Sequence, residues 1–309
     1  MPRTKLANPG RAPEHNVYDL RGYIPTTGNI FFVDSGADAG GNGLTPESAV
    51  TTLNAAVALC TANNGDIIYI IEGHAETLEA AADVDISKAG LTIIGLGRGG
   101  DRPTFTFSTA ADGTFAIGAS SIYLENLLFV ANFTNGVTVG VDIDGAHTDV
   151  VFKNCEWRAA ASTKEFLKGV TIAEDADRIT FDGCRFTEVT AGDALSAIFT
   201  ESTAGLVTVK DCTFQGDWSV AVLDLDDDAL VPGPQVFDNY VYNADVAAGL
   251  FCTVTSATVA VFIGNRSGIG KANTVPVSDA TASVFIDNLA TDAAAISELK
   301  YPATPTAWS

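Results

Sequence analysis

A four-residue pattern recurs along this chain and limits what it can fold into. A bulky apolar residue is followed by any residue, then Asn, Asp or Gly, then an apolar residue or Asn. It reads Ile93-Ile94-Gly95-Leu96, Leu124-Glu125-Asn126-Leu127, Phe152-Lys153-Asn154-Cys155, Phe181-Asp182-Gly183-Cys184 and Val209-Lys210-Asp211-Cys212. Phe237-Asp238-Asn239-Tyr240, Phe262-Ile263-Gly264-Asn265 and Phe285-Ile286-Asp287-Asn288 continue it. The Asn/Asp/Gly positions fall at 95, 126, 154, 183, 211, 239, 264 and 287, with spacings of 31, 28, 29, 28, 28, 25 and 23 residues. An aromatic follows in five successive members: Phe129, Trp157, Phe186, Phe214 and Tyr242. Repetition at one period is the signature of a solenoid.

The period is too short to hold a βαβ unit of roughly 30 or more residues in every member. The Leu or Ala signatures of leucine-rich and helical repeats are missing. Inward apolar residues alternate with outward polar ones, which reads as strand. A second strand lies upstream in each period, as in Val141-Asp142-Ile143, Val170-Thr171-Ile172 and Ala197-Ile198-Phe199. The expectation is an all-β fold: a single-stranded right-handed parallel β-helix of at least eight rungs. Stacking rungs ~4.8 Å apart pairs the backbone and aligns like residues into ladders. The expected inward ladders are Phe152, Phe181, Phe237, Phe262 and Phe285; Phe129, Trp157, Phe186 and Phe214; and Cys155, Cys184 and Cys212.

An open solenoid has edges that recruit stray strands. Thr45-Pro46-Glu47-Ser48 followed by Ala49 to Cys60 has helical apolar spacing and predicts a capping helix over the first rung. Residues 1–28 read as an extended arm, 29–65 as entry strand and cap, 66–290 as the β-helix, and 291–309 as a C-terminal cap and tail. The arm carries Arg3, Lys5, Arg11 and Arg21 with Tyr18, Leu20 and Tyr23, and reads as a partner-binding strap.

The formal net charge is −21, which disfavours nucleic-acid backbones and anionic lipid. No stretch approaches the ~18 apolar residues of a membrane span. Residues 1–16 lack the apolar core of a signal peptide, which places synthesis in a cytoplasm. Five cysteines in 309 residues do not form a secreted disulfide framework. Cys155, Cys184 and Cys212 read as small buried side chains, not as metal or redox chemistry. His15, His74 and His147 are scattered and read as solvated, with no zinc site. Asp224, Asp226, Asp227 and Asp228 form an acidic cluster that could bind calcium or supply an acid/base pair. Pro232-Gly233-Pro234 marks 226–234 as an outward turn, where solvated charge is the simpler reading. No cofactor is expected.

Phe31-Phe32-Val33-Asp34-Ser35-Gly36-Ala37-Asp38, then Gly41-Asn42-Gly43-Leu44-Thr45-Pro46-Glu47-Ser48-Ala49, resembles the opening of pectin-lyase-like β-helix proteins. Gly65-Asp66-Ile67-Ile68-Tyr69-Ile70, Leu91-Thr92-Ile93-Ile94-Gly95 and Arg102-Pro103-Thr104-Phe105 resemble that superfamily's early rungs. The resemblance covers roughly residues 30 to 290 and implies the fold. The superfamily includes pectin-active enzymes, phage tailspikes and other virion proteins. The Asn-Thr-Asp, Asp-Asp, Gly-His-Gly and Arg-Ile-Lys elements of polygalacturonase-like members do not occur in order. Arg102 and Arg185 lack an evident acidic partner for lyase chemistry. The expected function is a structural phage virion protein, a capsid decoration or cement protein. Its implied partner is the major capsid protein or another virion protein, and its location the capsid surface. Trimeric association is implied by resemblance. A tailspike or fibre domain acting on polysaccharide, and a pectin-type lyase, are the alternatives.

Overall fold

A computed structural model describes residues 26–292 apart from 110–112, 162, 190–193, 202–203, 226–232, 248, 255–258, 272–276 and 279–282. The chain coils into three parallel sheets that face one another across a common core. Face A has ten strands, running from Ile30–Val33 through Ile67–Ile70, Thr92–Gly95 and Ile122–Glu125 to Val284–Ile286. Face B has nine, from Ala75–Leu78 to Leu289–Asp292, and face C has eight, from Val84–Asp85 to Val277–Ser278. Successive turns visit A, then B, then C, and every ladder is parallel. The architecture is therefore a parallel β-solenoid with three strands per turn.

The phasing residues of the sequence make the corner between faces A and B. Asn126, Asn154, Asp211, Asp238 and Asp287 have φ between 50° and 61°, and Gly183 and Gly264 have φ of 65° and 70°. Asn, Asp and Gly are the residues that enter this left-handed region at low cost. One such residue per turn swings the chain from one sheet to the next. Gly95 lies in a strand instead, and there closeness decides: a Cβ would sit 2.4 Å from the Asn126 carbonyl oxygen.

Inside, like stacks on like. The face A ladder runs Phe31, Ile68, Ile93, Leu124, Phe152, Phe181, Val209, Val236, Phe262, Phe285. The Phe152 and Phe181 rings stack at 5.2 Å and 7°. On face B, Phe129, Trp157, Phe186 and Phe214 stack at 4.8, 4.5 and 5.0 Å. All are buried, apart from Phe285 at the end, which is half-buried.

Phe237 departs from the sequence expectation. Val209 pairs with Val236 and Lys210 with Phe237, so Val236 points in and Phe237 out. The corner residue of that turn is Asp238, one place earlier than the Asn239 chosen from the sequence. The same slip puts Val241 in the aromatic ladder below Phe214 and leaves Tyr242 45% exposed. A strand with apolar residues on both faces removes the alternation that would have set its register.

The corrected register exposes a second device. Asn239, Asn265 and Asn288 occupy the places that Cys155, Cys184 and Cys212 hold in earlier turns. Asn239 Nδ2 donates to the Val209 carbonyl and to Asn265 Oδ1, both at 2.9 Å. Asn265 Nδ2 repeats this towards Val236 and Asn288 Oδ1 at 2.8 Å. The backbone N–H of Cys212 and of Asn265 donates to the next Asn Oδ1 at 2.9 Å.

At the N-terminal end, the helix Leu53–Leu59 buries Leu53, Ala56 and Val57 against the first strands. It is shorter than the Ala49–Cys60 expectation. Val50 N–H donates to the Phe32 carbonyl and Asp34 N–H to Val50, so that segment serves as strand. Thr52 then caps the helix, accepting from Ala55 N–H at 3.2 Å. Asp66, fully buried, ties the entry to the first turn: it accepts from Asn29 N–H at 2.6 Å, Thr61 N–H at 2.7 Å and Asn64 Nδ2 at 2.8 Å.

Candidate functional site

Two outer surfaces stand out. The first is a polar groove of about 650 Å³ along the A–B corner, lined by Arg98, Arg102, Glu125, Asn126, Asn154, Glu156 and Arg185 among others. It arises because Leu128, Glu156, Arg185 and Thr213 form one outward row of face B beside the Asn/Gly corner. Arg102 Nη1 pairs with Glu156 Oε2 at 3.0 Å, and Arg158 reaches Glu156 Oε1 at 3.8 Å. The Arg102 Nε is buried with no partner among the described residues. Tyr123 donates to Glu125 Oε2 at 2.8 Å, and burial followed by that carboxylate pushes its hydroxyl pKa up. Neither Arg102 nor Arg185 has an acidic partner that local sequence reveals. The fold supplies Glu156, 54 residues from Arg102, which no local spacing could reveal.

The second surface is the outer side of face A. Its outward row reads Glu125, Lys153, Asp182, Lys210, and then Phe237, Ile263, Ile286. Lys210 and Asp182 pair at 3.1 Å. The last three are apolar and at least partly exposed, Ile286 by 52%. The neighbouring row ends Val261, Val284, also partly exposed. Tyr240 and Leu289, 60% and 45% exposed, border it on face B. The row is thus charged from Glu125 to Lys210 and apolar over its last three members.

The other residues singled out from sequence take different places. Cys155, Cys184 and Cys212 are buried free thiols at the A–B corner. Cys184 N–H meets Cys212 Sγ at 3.3 Å. Burial pushes the Cys155 thiol up to about 12 and raises that of Cys184 as well. Asp224 lies on the outer row of face C and accepts from the Thr253 hydroxyl at 2.6 Å. Asp226, Asp227 and Asp228 lie outside the described residues, as do Arg3, Lys5, Arg11, Tyr18, Leu20, Arg21, Tyr23 and His15.

His74 is not solvated. It is 1% exposed, accepts from Ser35 N–H through Nδ1 at 2.9 Å and meets Glu76 Oε1 through Nε2 at 2.8 Å. Glu76 Oε1 also takes the Leu53 N–H at 2.6 Å, so the pair clasps the capping helix. The adjacent Gly73 made this segment look like an open turn. His147 is partly exposed and meets Asp144 at 3.2 Å.

The chain is a parallel β-helix protein. No family profile and no curated protein matches its sequence. Among solved structures it is similar to pectate lyase Pel9A, at 13% identity and a TM-score of 0.51, over 88% of this chain and 82% of that one. A pectin methylesterase from Aspergillus niger aligns at 14% identity with a TM-score of 0.45, over 93% and 92% of the two chains. At such identities the likeness concerns the fold.

Proposed function

We propose that this chain is a structural virion protein, a capsid decoration or cement protein that binds the outer shell. The observation that carries this reading is the apolar outward stripe of face A: Phe237, Ile263, Ile286, Val261 and Val284. A contiguous exposed apolar patch marks a docking surface. The stripe sits on a rigid sheet, so docking it orders little backbone and keeps the entropic cost of association low. The partner in this reading is the major capsid protein or another virion protein. The assembled form is a trimer, and the location is the capsid surface after synthesis in a host cytoplasm. Quantitative mass spectrometry of purified particles tests it. A copy number comparable with the major capsid protein is expected. Absence from particles, or a handful of copies, overturns it.

The groove favours a second reading, a tailspike or fibre domain that binds or cleaves polysaccharide, or a pectin-type lyase. Arg98, Arg102 and Arg185 gather on one side of a strongly acidic chain. Incubation with acidic and neutral polysaccharides, read by product release, separates this reading from the first.

A further inference from the structure

The outward row of face A is symmetric in kind about its middle. Its four central members are Glu125, Lys153, Asp182 and Lys210, so charge alternates in sign from one turn to the next. Three apolar residues follow, Phe237, Ile263 and Ile286. Three precede, Phe32, Tyr69 and Ile94. The row beside it, from Ile30 through Tyr123, Val151 and Thr180 to Val284, is apolar at both ends and carries no charge at any position. Within one chain the charges are incompletely used. Asp182 meets Lys210 at 3.1 Å, while Lys153, flanked by Glu125 and Asp182 in the row, makes no ion pair among the described residues.

We infer that two copies of this chain pack outer face A against outer face A, with their rods antiparallel. The two-fold axis lies along the strands, between Thr148–Lys153 and Asp177–Asp182, the fifth and sixth of the ten. Turning one copy about that axis reverses the order of turns and keeps each row over its own image. Lys153 then faces Asp182 of the second copy, Glu125 faces its Lys210, and Ile94 faces its Phe237. Each pair occurs twice, as a two-fold interface requires.

The charges set the register. A slip of one turn puts Lys153 over its own image in one direction and over Lys210 in the other. Parallel rods set every charge either over its own image or over the uncharged row. Like or unpaired charges penalise all these alternatives, so the antiparallel register is the one this surface specifies. Ile94, Phe237 and Ile263 are partly exposed and Ile286 is 52% exposed. At the outer turns Ile263 comes over Tyr69, which is 3% exposed, so the strands from Thr92–Gly95 to Gln235–Phe237 carry the specificity. Ten strands of about four residues at ~4.8 Å pitch make a strip roughly 43 Å by 13 Å, so two copies cover on the order of 1,100 Å², the lower end for a specific pair. The inference goes beyond the virion reading and does not rest on it. It concerns the free chain, in which a second copy covers the stripe that in that reading meets the shell.

Sedimentation equilibrium of the purified full chain, from about 1 to about 200 μM, tests it, and a dimer that dissociates on dilution within that range is expected. Lys153→Glu sets a carboxylate against Asp182 twice over, and Asp182→Lys sets two ammonium groups together. Each alone should weaken dimerisation at least about hundredfold with an unchanged melting curve. The chain carrying both substitutions has every facing pair opposite in sign again and should dimerise like the original. Mixing the two single variants should give a one-to-one heterodimer, because each supplies the charge the other lacks. A chain that stays monomeric overturns the inference, and so does a dimer that neither substitution disturbs or that the double variant fails to restore. A trimer in solution overturns it too. No particle enters the experiment, so its failure leaves the virion reading standing.

Discussion

Phe181 sits mid-ladder, stacked on Phe152 and edge-on to Trp157 and Phe186. Replacing it by Ala leaves a cavity in a core that cannot close up without shifting neighbouring turns. The expected loss is about 3–5 kcal/mol, read from denaturant unfolding. Two buried carboxyls titrate in opposite senses. Burial pushes the Asp66 pKa up, but its hydrogen bonds from Thr61, Asn29 and Asn64 win and hold it below the usual carboxylate value. Its stabilisation is present above the unfolded pKa and is lost as pH falls through the lowered folded value. Glu188 is the reverse: burial, then the nearby Glu165, raise its pKa well above the usual value. The stability it favours is present below the unfolded pKa and is lost as pH rises through the raised one. Glu188→Gln should therefore raise unfolding free energy at pH 7 by about 1–3 kcal/mol and flatten its pH dependence between pH 4 and neutrality, roughly the range such carboxyls span. An unchanged pH profile by calorimetry would place Glu188 in water. The thiols of Cys155, Cys184 and Cys212 should resist labelling until the chain unfolds, because all three are buried out of reach of the reagent.

The asparagine ladder is an element that replaces packing with hydrogen bonding. Asn265 satisfies the Asn239 N–H and the Val236 carbonyl from inside the corner. Asn265→Ala strands both buried groups, and about 2–4 kcal/mol of stability should be lost, measurable as a lower unfolding midpoint. Asn265→Cys, which copies the earlier turns, should lose less if shape matters more than the amide. The corners Gly264 and Asp287 were legible in the chain because Asn, Asp and Gly enter a left-handed backbone at least cost, whereas Asp238 lies one place before the residue the pattern marks. The asparagine stack was not. Its members look like the corner residues themselves, and only the pairing of Asp211 N–H with the Phe237 carbonyl fixes which is which. The capping helix is likewise legible, but it starts at Leu53 and not at Ala49, because Val50 has helical spacing and yet is held by the first strand.

At the level of the whole molecule, the rod presents a groove on one edge and an apolar stripe on one face. If the stripe is the docking surface, Ile263→Asp with Ile286→Lys should leave the melting curve within about 0.5 kcal/mol, as surface changes do. The same variant should abolish incorporation into particles, read by co-sedimentation. Retained incorporation would move the partner surface off face A. The period, the strand character and the inward Phe and Cys ladders follow from the order of residues alone, since each depends on alternation and on which side chains tolerate a corner. Which arginine meets which glutamate, which phenylalanine turns outward, and that His74 clasps a helix depend on pairing between residues some 20 to 60 positions apart, brought together by the coiling of successive turns. Local sequence carries propensity and period. Register between turns is a property of the assembled stack, and it decides what the surface can do.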